Sequence, residues 1–180
     1  MKSKEQTELF RYGIQTEQSD IRAHVGPICK SVFVYQTNRM LLWLKEHYQE
    51  YRVGEATQPG VEGVTGRGFL VPLKDVPGLR TLRYHSYEWS TFPHKSATTS
   101  RKGDAAVDVV CKLLEMGRFP LWVDGNTEDR GSLQIKGTDI IVFAKQYIQV
   151  KCDYLAGPKE CGCSGNLFVQ THESNPKKHT

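Results

Sequence analysis

The sequence predicts an α/β chain, with a mixed central sheet and flanking helices in its C-terminal half and a mainly helical region before it. Three observations carry this expectation. Residues 104–116 repeat apolar side chains at helical spacing. Two β-branched and aromatic runs, 139–143 and 147–151, are separated only by Ala144, Lys145 and Gln146. A further run of the same kind follows at 167–171.

Taken in order, residues 3–52 read mainly as helix, most clearly over 37–51. There Asn38 offers an N-cap, and Met40, Leu41, Leu44, Tyr48 and Tyr51 recur at three- and four-residue spacing. The segment 31–35 is β-branched and aromatic and suits either strand or helix. Between 54 and 80, Gly54, Pro59, Gly60, Gly63, Gly66, Gly68, Pro72, Pro77 and Gly78 break the chain into loops with one or two short strands. Tyr84, Tyr87, Trp89 and Phe92 lie among basic residues, a composition that suits stacking on a nucleic-acid strand or packing at the junction of two halves. Residues 95–103 are small and polar, an approach to the helix at 104–116, whose Val107, Val110, Cys111 and Leu114 share a face and which Gly117 ends. A strand is expected at 119–123, a polar turn at 124–131, then the hairpin and the last strand. The chain thus divides into 1–95, a helical and loop-rich region that shapes a substrate groove or dimer contact, and a core at 96–180.

Composition narrows the class. With 180 residues and 38% hydrophobic side chains, the chain can bury a core and is too apolar for a disordered segment. No apolar run approaches the roughly 18 residues needed to cross a bilayer. The polar start, Met1 to Gln6, lacks a signal-peptide pattern, so a cytoplasmic protein is expected. Five cysteines, an odd number, then argue for reduced thiols over a disulfide framework. A net charge of +4 permits a polyanionic partner without requiring one.

The chemistry concentrates at Asp139, Gln149 and Lys151. Side chains alternate along a strand, so Gln149 and Lys151 project from one face, and Asp139, at the mouth of the neighbouring strand, can reach the same spot. A carboxylate, a neutral carbonyl and an ammonium side by side suit phosphodiester cleavage. The acid holds Mg²⁺ or Mn²⁺, the ion polarises the phosphate and lowers the pKa of bound water, and the lysine positions that water. The plainer reading of Asp139 and Lys151 is a surface ion pair.

Asp139 followed by Gln149-Val150-Lys151 resembles the D…(E/Q)xK signature of PD-(D/E)xK nucleases, in the glutamine variant of Mrr-like restriction endonucleases. The preceding helix, ending Leu113-Leu114-Glu115-Met116-Gly117, resembles the one that opens the core of those enzymes and of archaeal Holliday-junction resolvases. The likeness spans residues 103–175. It implies a restriction-endonuclease-like fold and a metal-dependent nuclease, expected to be a DNA endonuclease, with RNA left open and a homodimer as the expected assembly. It also implies a helix acid at the metal, Asp108 in preference to Asp104, with the main-chain carbonyl of Val150 as a further ligand. Substrate contacts are expected from Gln170 or His172 on the last strand, and from the basic residues Lys95, Arg101 and Lys102. Glutamine at 149 removes one negative charge, which weakens Mg²⁺ binding unless a nearby acid compensates. No second helix has a place after Asn175, so an earlier segment is expected to cover that face of the sheet.

Two alternatives accompany this reading. One is a non-catalytic nucleic-acid-binding module on the same fold. The other is an interaction module stabilised by Zn²⁺ on Cys152, Cys161, Cys163 and His172, although Cys161-Gly162-Cys163 is a poorer zinc spacing than C-x₂-C. Acids in the first turns of a helix also favour its dipole, which explains Asp104 and Asp108 without any metal.

Overall fold

Ile21, Ala23 and Val25 alternate with Arg22 and His24 along β1 (Ile21–Gly26), a pattern that buries two different faces at once. The computed structural model describes residues 19–57, 64, 66–85, 92–121, 140–142 and 146–173, with side chains up to Gln170. A tight turn, in which Lys30 adopts φ +49°, leads into β2 (Ser31–Gln36), antiparallel to β1. β7 (Gln146–Cys152) lies parallel to β1 on its other side. β5 (Arg80–Arg83) and β6 (Ile140–Val142) complete a mixed five-stranded sheet in the order β5-β2-β1-β7-β6. A second sheet has the order β3-β4-β8, from Arg52–Ala56, Gly66–Pro72 and Asn166–Glu173. The chain is therefore α/β, and both sheets draw strands from either side of residue 95.

The larger sheet is covered on both faces. Helix α2 (Thr99–Glu115) lays Ala106, Val109, Val110 and Leu113 on Ile21, Ala23, Val25, Val32, Val34, Ile148 and Val150. Thr98 caps it, its hydroxyl accepting from Arg101 N at 3.4 Å, and Gly117 leaves it at φ +65°. On the opposite face, Phe33 and Tyr35 meet Met40 and Leu44 of α1 (Thr37–His47), together with Phe69, Val71, Leu167 and Val169 of the second sheet. The cover thus comes from α1 and the β3-β4-β8 sheet. Close approach of β4 to β8 requires Gly68, where a β-carbon would stand 2.2 Å from Val169 O. Asp20 ties the layers at one end. Its main-chain N donates to Tyr147 O at 2.8 Å, its Oδ2 accepts from Tyr147 N at 2.9 Å, and its O accepts from Thr37 N at 2.9 Å.

Several sequence expectations are corrected here. The N-terminal region is not mainly helical among the described residues: β1 and β2 occupy 21–36, which also decides the ambiguous 31–35 in favour of strand. Alternation at period two and β-branched content outweigh helical propensity once both faces are covered. Helix α1 starts at Thr37 with Gln36 as its cap residue, so Asn38 is exposed within the first turn, and residues 48–50 continue as a 3₁₀ turn. Residues 119–121 form no strand, and Phe119 tucks back onto Leu113 O through its N–H. Residues 122–139, which include the polar turn, lie outside the described residues, as do Tyr87 and Trp89. The hairpin expectation meets β6 and β7, antiparallel, and the last strand meets β8. No described helix is long and apolar enough to cross a membrane.

Leu113 is fully buried under α2, whereas Leu42 on α1 is 60% exposed. Leu113→Ala is expected to cost about 2–5 kcal/mol in urea unfolding and Leu42→Ala less than about 0.5 kcal/mol. Equal losses would contradict the packing of α2 on the sheet.

Candidate functional site

Strand alternation builds the site. On β7, Ile148 and Val150 point toward α2, so Gln149 and Lys151 point to the other side, as the sequence suggested. The parallel pairing places Arg22 of β1 beside Gln149, and His24 beside Lys151. Arg22, His24 and Gln149 are each at most 5% exposed. A polar layer therefore lies beneath the second sheet, where burial without partners is costly.

Most of the layer is bonded. Arg22 Nη1 donates to Gln170 O at 3.2 Å. Tyr35 Oη lies 3.1 Å from His24 Nε2. His24 Nδ1, on the other side of the ring, faces Asp153 and has no hydrogen-bond partner among the described residues. The Asp153 Oδ1 accepts from Leu155 N at 2.9 Å and Ala156 N at 3.1 Å. His24 Nδ1 stands 3.9 Å from Asp153 Oδ2. That contact is not an ion pair near neutrality. Burial first, then the charges of Arg22 and Lys151, lower the His24 pKa to about 3, so the ring is neutral. Burial pushes the Asp153 carboxyl up, against the hydrogen bonds from the main chain at Leu155, Ala156 and Phe168.

The expected site residues are distributed as follows. Asp139 lies outside the described residues, immediately before Ile140, which pairs with Ile148. Asp104 and Asp108 do not join Gln149 and Lys151. They are exposed on α2, on the opposite side of the sheet, with Asp108 Oδ2 2.8 Å from Lys112 Nζ and Asp104 Oδ2 3.5 Å from Ser100 Oγ. The reason is rotational. Two apolar stripes overlap on this helix, and the buried one is Ala106, Val109, Val110 and Leu113, one position before the stripe of Val107, Val110, Cys111 and Leu114. That rotation turns Asp108 outward. Val150 buries its side chain against α2. Gln170 contributes its main-chain carbonyl to Arg22, and His172 pairs in β8 with Arg67, its side chain outside the description. Lys95 and Arg101 are exposed, while Lys102 Nζ sits 5.4 Å from the centre of the Tyr154 ring. Cys152 packs on the α2 side, apart from the exposed Cys161, so the proposed zinc set is not assembled, and no described group of three His, Cys, Asp or Glu side chains is arranged to hold a metal ion.

Sequence reasoning missed Arg22, His24 and Tyr35. The signal was present as polar residues alternating within an apolar β-run. As a fit for a divalent ion, the described residues offer Gln149 Oε1, buried and with no hydrogen-bond partner among them. A neutral oxygen suits a hard cation, but the ion's charge must also be met by a carboxylate.

Unfolded histidine takes up its proton near pH 6.5, and folded His24 only near 3. Between those values the unfolded chain binds more protons, so His24 removes stability as pH falls. Asp153, raised above 3.8, acts with the opposite sign. Unfolding free energies from urea titrations across that window are expected to fall more steeply for the wild type than for His24→Gln, by up to roughly 1.4 kcal/mol per pH unit. Parallel curves would contradict a buried neutral imidazole. Compared with protein-family models, curated proteins and solved structures, the chain matches none of them.

Proposed function

We propose that the chain is a divalent-metal-dependent nuclease hydrolysing phosphodiester bonds, with DNA as the substrate, on a restriction-endonuclease-like core. The observation that carries the reading is the shared face of Gln149 and Lys151, with the Gln149 carbonyl oxygen buried and lacking a hydrogen-bond partner among the described residues. In sequence Asp139 directly precedes Ile140, whose partner Ile148 is the neighbour of Gln149. The likeness of Asp139…Gln149-Val150-Lys151 to the D…QxK signature supports the same grouping.

In this reading Asp139 and Gln149 hold Mg²⁺ or Mn²⁺, which when bound polarises the phosphate and lowers the pKa of water. Lys151 orients the attacking water and offsets phosphate charge, and Arg22, buried beside Gln149, adds a fixed positive field. His24, neutral and bonded to Tyr35, holds the layer in place and is not the base. The exposed Lys95 and Arg101 track the nucleic-acid backbone, and a homodimer would present two sites to two strands. A second reading, a nucleic-acid-binding module without catalysis, is favoured by Gln149, a neutral ligand where a carboxylate would bind Mg²⁺ more tightly.

Asp139→Ala and Lys151→Ala are each expected to lower Mn²⁺- or Mg²⁺-dependent cleavage of DNA by about a hundredfold or more, with circular dichroism unchanged. Asp108→Ala should stay within about twofold of wild type, because that acid lies across the sheet. Wild-type cleavage by Asp139→Ala would sink the nuclease reading, and DNA binding with no cleavage in either metal would favour the second.

A further inference from the structure

Cys29 sits in the turn between β1 and β2, and Cys163 in the connection from β7 to β8, far apart in sequence. The fold brings them together. Cys29 Sγ donates to Ala156 O at 3.3 Å, in the same connection. Gly157, buried and at φ +141°, lies against both sulfurs. A β-carbon there would stand 2.8 Å from Cys29 Sγ and 2.9 Å from Cys163 Sγ. The missing side chain leaves the two sulfurs one shared space beside Gly157. Cys161 is exposed nearby, whereas Cys111 and Cys152 belong to α2 and to the sheet face beneath it.

We propose that Cys29 and Cys163 form a reversible disulfide that staples the β1–β2 turn to the β7–β8 connection. The oxidant is a low-molecular-weight disulfide such as glutathione disulfide. The Cys163 thiolate attacks it, giving a mixed disulfide and releasing one small thiolate. Cys29, deprotonated, then attacks the Cys163 sulfur and expels the second. The two cysteines lose two protons and two electrons, and the oxidant leaves as two thiols. Burial raises both thiols above the ordinary cysteine range, so the pair stays protonated and exchanges slowly near neutral pH. Because the staple reaches the loop whose Leu155 and Ala156 amides hold Asp153, it fixes one wall of the buried polar layer.

The test uses the full chain, reduced and then incubated with glutathione disulfide, its remaining thiols blocked with N-ethylmaleimide before digestion and mass spectrometry. The expected product is a peptide pair joining Cys29 to Cys163, two hydrogens lighter, with Cys111 still blocked. Its Tm should rise by about 5 °C or more and return on reduction. Cys161→Ser should keep the cross-link and Cys29→Ser abolish it. A Cys161–Cys163 bridge, glutathione adducts alone, intermolecular dimers, or full maleimide labelling of Cys29 and Cys163 would each overturn the proposal. The wild-type map decides this even if Cys29→Ser fails to fold.

Discussion

The whole arrangement depends on one constraint, the period-two alternation of side chains on strands whose two faces are both covered. On β1 and β7 this forces Ile21, Ala23, Val25, Ile148 and Val150 onto α2, and sends Arg22, His24, Gln149 and Lys151 to the other side. A register slip of one residue in β7 would exchange the two sets and bury Lys151 under α2. Packing alone would oppose it, since Leu113 and Val110 require apolar partners there. The hydrophobic core on one face thus fixes which polar groups meet on the other.

Those polar groups are stable together because their protonation states are matched. Arg22 donates to Gln170 O, Tyr35 meets a neutral His24, and Asp153 is held by main-chain amides. A charged imidazole between Arg22 and Lys151 would add like charge in a dry layer, and its lowered pKa reflects that cost. Arg22 is buried in this layer, and in the proposed nuclease site its fixed charge is set against a phosphate oxygen.

The C-terminal half was the more legible. Helix α2, the β6–β7 pair and β8 each carry a strong periodic signal, bounded by Gly117 or by polar residues. Before it, the helix expectation fails over 21–26, where polar and apolar residues mix in a way that suits a helix until alternation is checked, as in Ile21-Arg22-Ala23-His24-Val25, while 31–35 suits either element on its own. The site was half legible. That Gln149 and Lys151 share a face follows from strand geometry alone. That Asp108 turns away does not, because α2 carries two apolar stripes one residue apart and only the partner sheet selects between them. Arg22 beside Gln149, and Cys29 beside Cys163, arise from contacts between segments more than a hundred residues apart, which no local pattern encodes.

Isothermal titration of Mn²⁺ tests the face assignment most directly. The account predicts saturable binding that Asp139→Asn and Gln149→Leu each weaken at least about tenfold, and that the double variant Asp104→Asn/Asp108→Asn leaves unchanged. Binding that survives at Gln149→Leu but is lost in the α2 double variant would place the ion on the wrong side of the sheet and contradict it.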